Sequence, residues 1–101
     1  MEKSLKGSQR KYLRELAHSM KPVIQIGKRG ITDELMKQID KALTDHELIK
    51  IKFNEFKEEK KDLSAGIGDD TGSELVGMIG NVAIFYRENP EKEKKIDLNI
   101  N

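Results

Sequence analysis

The chain has 101 residues, of which 37% are charged and 36% hydrophobic, and it contains no cysteine. This length suits one domain, and the lack of cysteine excludes a disulfide framework and any thiolate metal site. No stretch approaches the roughly 20 apolar residues of a membrane span, and the N-terminus lacks the apolar segment of a signal peptide. We expect one soluble, cytoplasmic domain with a core over residues 9–87 and a charged tail over 88–101.

The charge of the chain is divided unevenly along its length. The first 30 residues hold eight basic and two acidic residues, a balance of +6, whereas the remainder holds eleven basic and sixteen acidic residues, a balance of −5. Such asymmetry indicates a polyanion-binding end, although runs of charge are more often solvated faces. The basic residues concerned are Lys3, Lys6, Arg10, Lys11, Arg14, Lys21, Lys28 and Arg29.

The first predicted elements are a helix and a short strand. A helix is predicted from about Gln9 to His18, with Ser8 as its N-cap, because apolar residues recur at three- and four-residue spacing. Pro22 excludes further helix, and the β-rich segment Val23–Ile26 follows as a strand. The apolar stripe of the helix consists of Tyr12, Leu13, Leu16, Ala17 and Met20.

A second helix and a second strand are predicted next. Thr32 is expected to cap a helix that ends near Asp45 or His46. The segment Leu48–Phe53 then alternates, with isoleucine and phenylalanine on one face and two lysines on the other. Alternation of this kind is typical of a half-buried strand.

The last predicted elements are a third helix and a hairpin. The third helix is expected over Glu55–Thr71, although its glycines weaken it. The runs Leu75–Ile79 and Val82–Tyr86 are separated by Gly80-Asn81, a spacing that indicates an antiparallel hairpin. In the charged tail, docking of Ile96 and Leu98 is left open. The order α-β-α-β-α-β-β predicts an α/β fold, a mixed four-stranded sheet packed with helices.

The segment Gly27-Lys28-Arg29-Gly30 lies between a predicted strand and a predicted helix. Glycine permits close approach of a ligand, and a helix start beside two cations favours a phosphate. The segment is too short for a dinucleotide or P-loop fingerprint, but a GXXG loop clamps nucleic-acid backbone in KH domains. Spacing alone allows equally that the glycines only form a tight turn. Further basic contacts are expected from Arg10, Lys11, Arg14 and Lys21, if the first helix packs beside the strand.

Three sequence blocks resemble a known family. LAH-x-x-KP, IGKRG and HELIK occur in that order within Leu16–Phe53, and MIGNVAIFYRE follows at Met78–Glu88. From about Gln9 to Leu98, the chain resembles the stand-alone bacterial form of the CRM domain, a form often called the YhbY family. The CRM domain is the RNA-binding module of chloroplast RNA splicing and ribosome maturation factors. The resemblance implies a fold similar to the C-terminal domain of a bacterial translation initiation factor, and a role in assembling the large ribosomal subunit from its precursors. The segment GIGDDTG departs from the more apolar helix expected there.

Other candidate sites are weaker. His18 and His46 are each expected to cap a helix or to satisfy a local hydrogen bond, since no third ligand is spaced to help them bind a metal. Asp69-Asp70 lacks EF-hand spacing and is expected to end a helix or line a turn. Because the chain has few aromatic residues, we expect it to recognise RNA by backbone charge and shape more than by its bases. Phe53 and one of Phe85 and Tyr86 are expected in the core.

The sequence therefore predicts a monomeric RNA-binding protein that acts on rRNA of the large-subunit precursor. We expect no enzymatic activity, no cofactor, no metal, no membrane and no small-molecule substrate. The alternative is a protein-interaction module that docks a ribosomal protein or another factor through its acidic half or an exposed sheet edge. A phosphate-handling enzyme is disfavoured because no nucleophile–base pair accompanies the glycine loop.

Overall fold

A computed structural model of the chain describes residues 5–91, 96 and 98. The elements are α1 (Gly7–His18), β1 (Ile24–Ile26), α2 (Asp33–His46), β2 (Leu48–Phe53), α3 (Lys60–Thr71), β3 (Glu74–Ile79) and β4 (Val82–Tyr86). The strands form one sheet in the order β1-β2-β4-β3. β1 is parallel to β2, whereas β4 is antiparallel to both of its neighbours. The predicted α/β class, mixed sheet and hairpin are confirmed.

The sheet is covered by helices on both faces. Ile49, Ile51 and Phe53 of β2 are fully buried and pack in one cluster with residues of α2 and α3. Leu13 and Ala17 of α1 form a second cluster with residues of β2, β3 and β4. The period-two alternation of β2 therefore separates the two cores as expected. Within residues 5–91, no helix is long and apolar enough to cross a membrane.

The helix α1 begins earlier than predicted. Its N-cap is Lys6, so Ser8 lies inside the first turn and the predicted cap is wrong. The physical reason is the side chain of Gln9, whose Oε1 accepts a hydrogen bond from the Lys6 amide at 2.8 Å. A glutamine at the third helical position can satisfy the first amide in this way.

The helix α3 ends where predicted but begins at Lys60 rather than Glu55. The preceding residues form a loop because the amides of Asn54 and Glu55 both donate to the Ile26 carbonyl, at 3.0 and 3.1 Å. At the other end, Gly72 takes the left-handed conformation with φ 67° that commonly terminates helices.

The hairpin contains one irregularity. β3 carries a bulge between Leu75 and Gly77, so Val76 has no partner of its own on β4. The extra residue leaves Val76 buried in the α1 cluster, while Leu75 packs against the opposite core. Aromatic burial exceeds the expectation, because Phe85 and Tyr86 are both core residues.

The end of the described chain is fastened to the middle. Glu47 is fully buried, and its carboxylate accepts hydrogen bonds from the amides of Asn89 at 2.7 Å and Ile96 at 3.0 Å. Ile96 and Leu98 are half-buried against the α1 cluster. The Leu98 carbonyl also accepts a hydrogen bond from Gln9 Nε2 at 3.1 Å. These two apolar residues therefore dock, which the sequence had left open.

Candidate nucleic-acid interface

The segment Gly27–Gly30 is a hydrogen-bonded turn, which we call the GKRG turn. The Gly30 amide donates to the Gly27 carbonyl at 3.0 Å. This bond closes a four-residue reversal whose two central residues are Lys28 and Arg29. Both side chains are exposed. The turn therefore presents two cations at its tip, immediately after β1 and just before α2.

The two glycines of the turn have different surroundings. Gly30 has φ 71°, and a Cβ added there would lie 3.3 Å from Cε2 of Phe56. A side chain at this position would be strained by both the backbone and the ring. A Cβ at Gly27 would meet no atom within 4 Å. Gly30 is thus required by the fold, whereas Gly27 leaves open space beside the two cations.

Phe56 supports the turn from the neighbouring loop. Its ring packs against Gly30, although 40% of the residue remains exposed. The backbone of Phe56 has φ 58°, an unfavourable value for a bulky side chain, so the surrounding contacts must hold it there. This role of Phe56 could not be predicted from the sequence, because its contact with Gly30 depends on the side-by-side ends of β1 and β2.

The start of α2 contributes less to an anion site than expected. Thr32 is the N-cap as predicted, and its Oγ1 accepts a hydrogen bond from the Leu35 amide at 3.1 Å. Asp33 and Glu34 place carboxylates in the first helical turn. These carboxylates already interact favourably with the positive end of the helix dipole. The attraction of this region for a polyanion therefore comes chiefly from Lys28 and Arg29.

Two of the predicted basic residues on α1 are bound to β3. Arg10 forms an ion pair with Glu74 and donates to the Leu75 carbonyl at 2.9 Å. Arg14 donates to the Val76 carbonyl at 3.0 Å. These guanidinium groups therefore have structural partners at the β3 edge of the sheet, on the far side from β1 and the GKRG turn.

The remaining predicted cations are exposed, and two further lysines accompany them on the same face. Lys11 lies on α1 and Lys21 follows that helix. Lys50 and Lys52 point from β2 toward the α1 side, where the Lys50 ammonium donates to the Met20 carbonyl at 2.9 Å. The alternation of the sequence predicts that these lysines share one face of β2, but it does not connect that face with the basic N-terminal region.

The uneven charge along the sequence becomes a charge difference between the layer formed by α1 on one face of the sheet and the layer formed by α2 and α3 on the other. Helix α1 carries three basic residues and one acidic residue. Helices α2 and α3 on the opposite face together carry four basic and seven acidic residues. A polyanion that approaches the domain is therefore attracted to the α1 layer and repelled by the other.

The structure offers no assembled metal centre in its described residues. His18 and His46 are the last residues of α1 and α2. Within the described part of the chain, no three His, Cys, Asp or Glu side chains are grouped so that they could hold a metal ion. Burial, and secondarily the charges of Glu47 and Glu88, raises the pKa of Tyr86 to about 12. This tyrosine lies in the α1 core, where its side chain is almost completely inaccessible.

Comparison with known proteins agrees with the fold. Residues 5–87 match the family model of the CRS1 / YhbY (CRM) domain. The chain belongs to the CRM-domain family. Among its relatives is the "Probable RNA-binding protein YqeI" of Bacillus subtilis, which is 39% identical over 93% of this chain and 98% of its own length. An "RNA-binding protein" of Haemophilus influenzae is 36% identical over 94% of this chain and 95% of its own length.

A solved structure shows the same fold as this CRM domain. The solution structure of the Staphylococcus aureus protein SAV1595, described as a candidate RNA-binding protein, superposes with a TM-score of 0.76. The two sequences are 44% identical, and the match covers 90% of this chain and 95% of the other. The three helices and mixed sheet described above are therefore a shared architecture.

Proposed function

We propose that this CRM domain is an RNA-binding protein that grips the phosphate backbone of structured rRNA with the GKRG turn. The observation that carries the proposal is the pair of exposed cations, Lys28 and Arg29, at the tip of a turn whose Gly27 side is open. Arginine can bind a phosphate through two parallel N–H donors, and lysine adds a mobile point charge. The relatives named as RNA-binding proteins support the same class of ligand.

The proposed role is assembly of the large ribosomal subunit in the cytoplasm, and it requires binding without catalysis. Its support is the family resemblance in the LAH-x-x-KP, IGKRG and HELIK blocks together with the layered charge. Lys11 and Lys21 extend the basic surface beyond the turn. A domain of this kind recognises folded RNA by charge and shape, and its sequence specificity is expected to be weak.

A filter-binding titration against salt concentration tests the grip of the turn. If about four phosphates are contacted, the slope of log affinity against log salt should be near −3, on the rule of about 0.7 per phosphate in a single strand. The double variant Lys28→Glu/Arg29→Glu should bind much more weakly and with a flatter slope. The matched control is Lys37→Glu/Lys61→Glu, which changes the net charge equally at exposed positions of α2 and α3.

Unchanged binding by the Lys28/Arg29 variant, or equal losses in both double variants, would remove the turn from the interface. The ribosomal part of the proposal has its own measurement. Tagged wild-type protein should sediment with precursors of the large subunit, and nuclease treatment should release it. Retention after the RNA has been digested would indicate that a protein holds it instead.

A further inference from the structure

The α1-facing side of the sheet is organised in rows that run across the strands. Gln25 of β1 pairs with Lys52 of β2, Lys52 with Val82 of β4, and Val82 with Ile79 of β3. Directly paired residues point to the same face of a sheet. These four residues therefore form one continuous row from β1 to β3, which we call the upper row.

Helix α1 covers the rows below the upper row but not the upper row itself. One row down, Ile84 is buried in the α1 cluster, and the Arg14 stem lies against Gly77. In the upper row, by contrast, Gln25 and Lys52 are exposed and Val82 is half-buried. Ile79 is 59% exposed, more than any other large apolar side chain in the described chain. The upper row is thus an uncovered part of the sheet face.

The upper row begins beside the GKRG turn. Gln25 lies two residues before Gly27, and its Oε1 accepts a hydrogen bond from Asn54 Nδ2 at 2.7 Å. From there, three strand spacings of about 4.8 Å carry the row roughly 14 Å across the sheet to Ile79. A chain that leaves the turn on the α1 side would therefore pass directly onto this row.

The chemistry of the upper row suits a single-stranded nucleic acid. It contains one cation, one amide and two aliphatic side chains, but no carboxylate. Sheet faces serve as platforms for unstacked bases in several RNA-binding modules, with backbone charge and apolar contact acting together. The acidic residues of the domain are concentrated on the opposite helical layer, so charge also favours a polyanion on this side.

We propose that a single-stranded stretch of the bound RNA runs from the GKRG turn across the upper row. Lys52 contacts a phosphate, and Val82 and Ile79 support bases or riboses. This inference rests on the proposed function and adds a substrate class to it, since duplex RNA presents no unstacked bases. RNA that lacks a single-stranded segment is held by the turn alone.

Fluorescence anisotropy with two probes, a 12-nucleotide oligouridine and a blunt-ended RNA duplex, tests this path. Ile79→Gln should weaken oligouridine binding by about threefold to tenfold. This loss is near the low end of what a base gains by stacking on an aromatic ring, because isoleucine is not aromatic. Lys52→Gln should reduce the salt slope for oligouridine by about 0.7. Neither variant should change the affinity for the duplex. The matched controls are Leu16→Gln, at an exposed apolar position on α1, and Lys37→Gln on α2.

The outcomes separate this inference from the proposed function. If both row variants bind oligouridine like the wild type while Lys28→Glu/Arg29→Glu loses both probes, the upper row is refuted and the turn stands. Equal losses for oligouridine and the duplex in Ile79→Gln would also refute a single-strand path. Analytical ultracentrifugation tests whether a second copy of the chain, and not RNA, occupies the upper row. If the wild type dimerises and the only effect of Ile79→Gln is to separate the copies, the row is a dimer contact and the inference fails.

Discussion

Gly27 and Gly30 occupy the ends of one turn, but only Gly30 is under conformational constraint. Its φ of 71° and the nearby Phe56 ring make any side chain unfavourable. Gly30→Ala should therefore lower the free energy of unfolding by about 1–2 kcal/mol. Gly27→Ala should change it by less than about 0.5 kcal/mol. Urea denaturation of the two variants measures the difference, and equal destabilisation would contradict the assignment.

RNA binding should respond to Gly27→Ala even though the stability of the protein does not. The open space at Gly27 matters only if a phosphate approaches the backbone there. Gly27→Ala should accordingly weaken RNA binding at unchanged stability, as measured by filter binding on a protein with a wild-type denaturation midpoint. Full RNA affinity in that variant would mean that the ligand touches the lysine and arginine side chains only.

Tyr86 makes stability sensitive to alkaline pH. Burial first, and the charges of Glu47 and Glu88 next, raise the pKa of its phenol from 10 to about 12 in the folded protein. The unfolded chain therefore loses this proton at lower pH than the folded one. The stabilisation is complete below pH 10 and is lost between about pH 10 and 12, by roughly 3 kcal/mol at 1.36 kcal/mol per pKa unit. As pH rises through this range, the free energy of unfolding of the wild type should fall relative to that of Tyr86→Phe, which has no phenol to ionise; a constant difference between the two proteins in urea denaturation would contradict the prediction.

At the scale of elements, Gly77 allows α1 to lie against β3. A Cβ at this position would be 2.7 Å from Cδ of Arg14, so Gly77→Ala must displace the arginine stem. The hydrogen bond from Arg14 to the Val76 carbonyl should then weaken, at a cost of about 1 kcal/mol. In an Arg14→Ala background the same change should cost little or become stabilising, because alanine suits a strand better than glycine. A double-mutant cycle in urea measures this coupling, and additive effects would exclude it.

The elements that the sequence predicted well are those with their own local signals. β2 has strict alternation, α2 has a Thr32 cap, and the hairpin has a two-residue gap. The beginning of α3 was misplaced because Glu55 to Glu59 is rich in good helix formers. What keeps that segment out of the helix is a pair of hydrogen bonds to the Ile26 carbonyl, a partner far away in the chain. Helical propensity along the chain carries no information about such a bond.

The candidate site divides in the same way. The GKRG turn could be predicted because its four residues are contiguous and lie between a strand and a helix. The upper row could not, since it depends on the register of four strands that meet only in the sheet. The support that Phe56 gives to Gly30 is likewise a contact between two loops. The ion pair between Arg10 and Glu74 could not be predicted from the sequence either, because 64 residues separate them.

At the scale of the whole molecule, Glu47 joins the end of the described chain to its centre. Its buried carboxylate accepts two main-chain N–H groups, from Asn89 and Ile96. Glu47→Gln replaces one acceptor oxygen by an amide donor, and should lower the free energy of unfolding by about 1.5–3 kcal/mol, the range for hydrogen bonds to a charged group.

Limited digestion with carboxypeptidase gives an independent readout of the Glu47 contact. The C-terminal segment should be removed faster from Glu47→Gln than from the wild type. Glu15→Gln, at an exposed position on α1, serves as the control and should behave like the wild type in both assays. Identical digestion of all three proteins would show that the apolar contacts of Ile96 and Leu98 hold the segment without Glu47.

Arg10 and Arg14 also occupy hydrogen-bond acceptors on β3, which is an edge strand of the sheet. β3 has a neighbour on one side only, and unpaired main-chain groups on such a strand are a template for strand addition and aggregation. Here the Leu75 and Val76 carbonyls are already bonded by guanidinium groups, and the bulge interrupts the regular spacing. An incoming chain would have to displace two cations and straighten the strand. The two arginines therefore leave an incoming strand no free acceptor at these carbonyls, which makes strand addition at the β3 edge unfavourable.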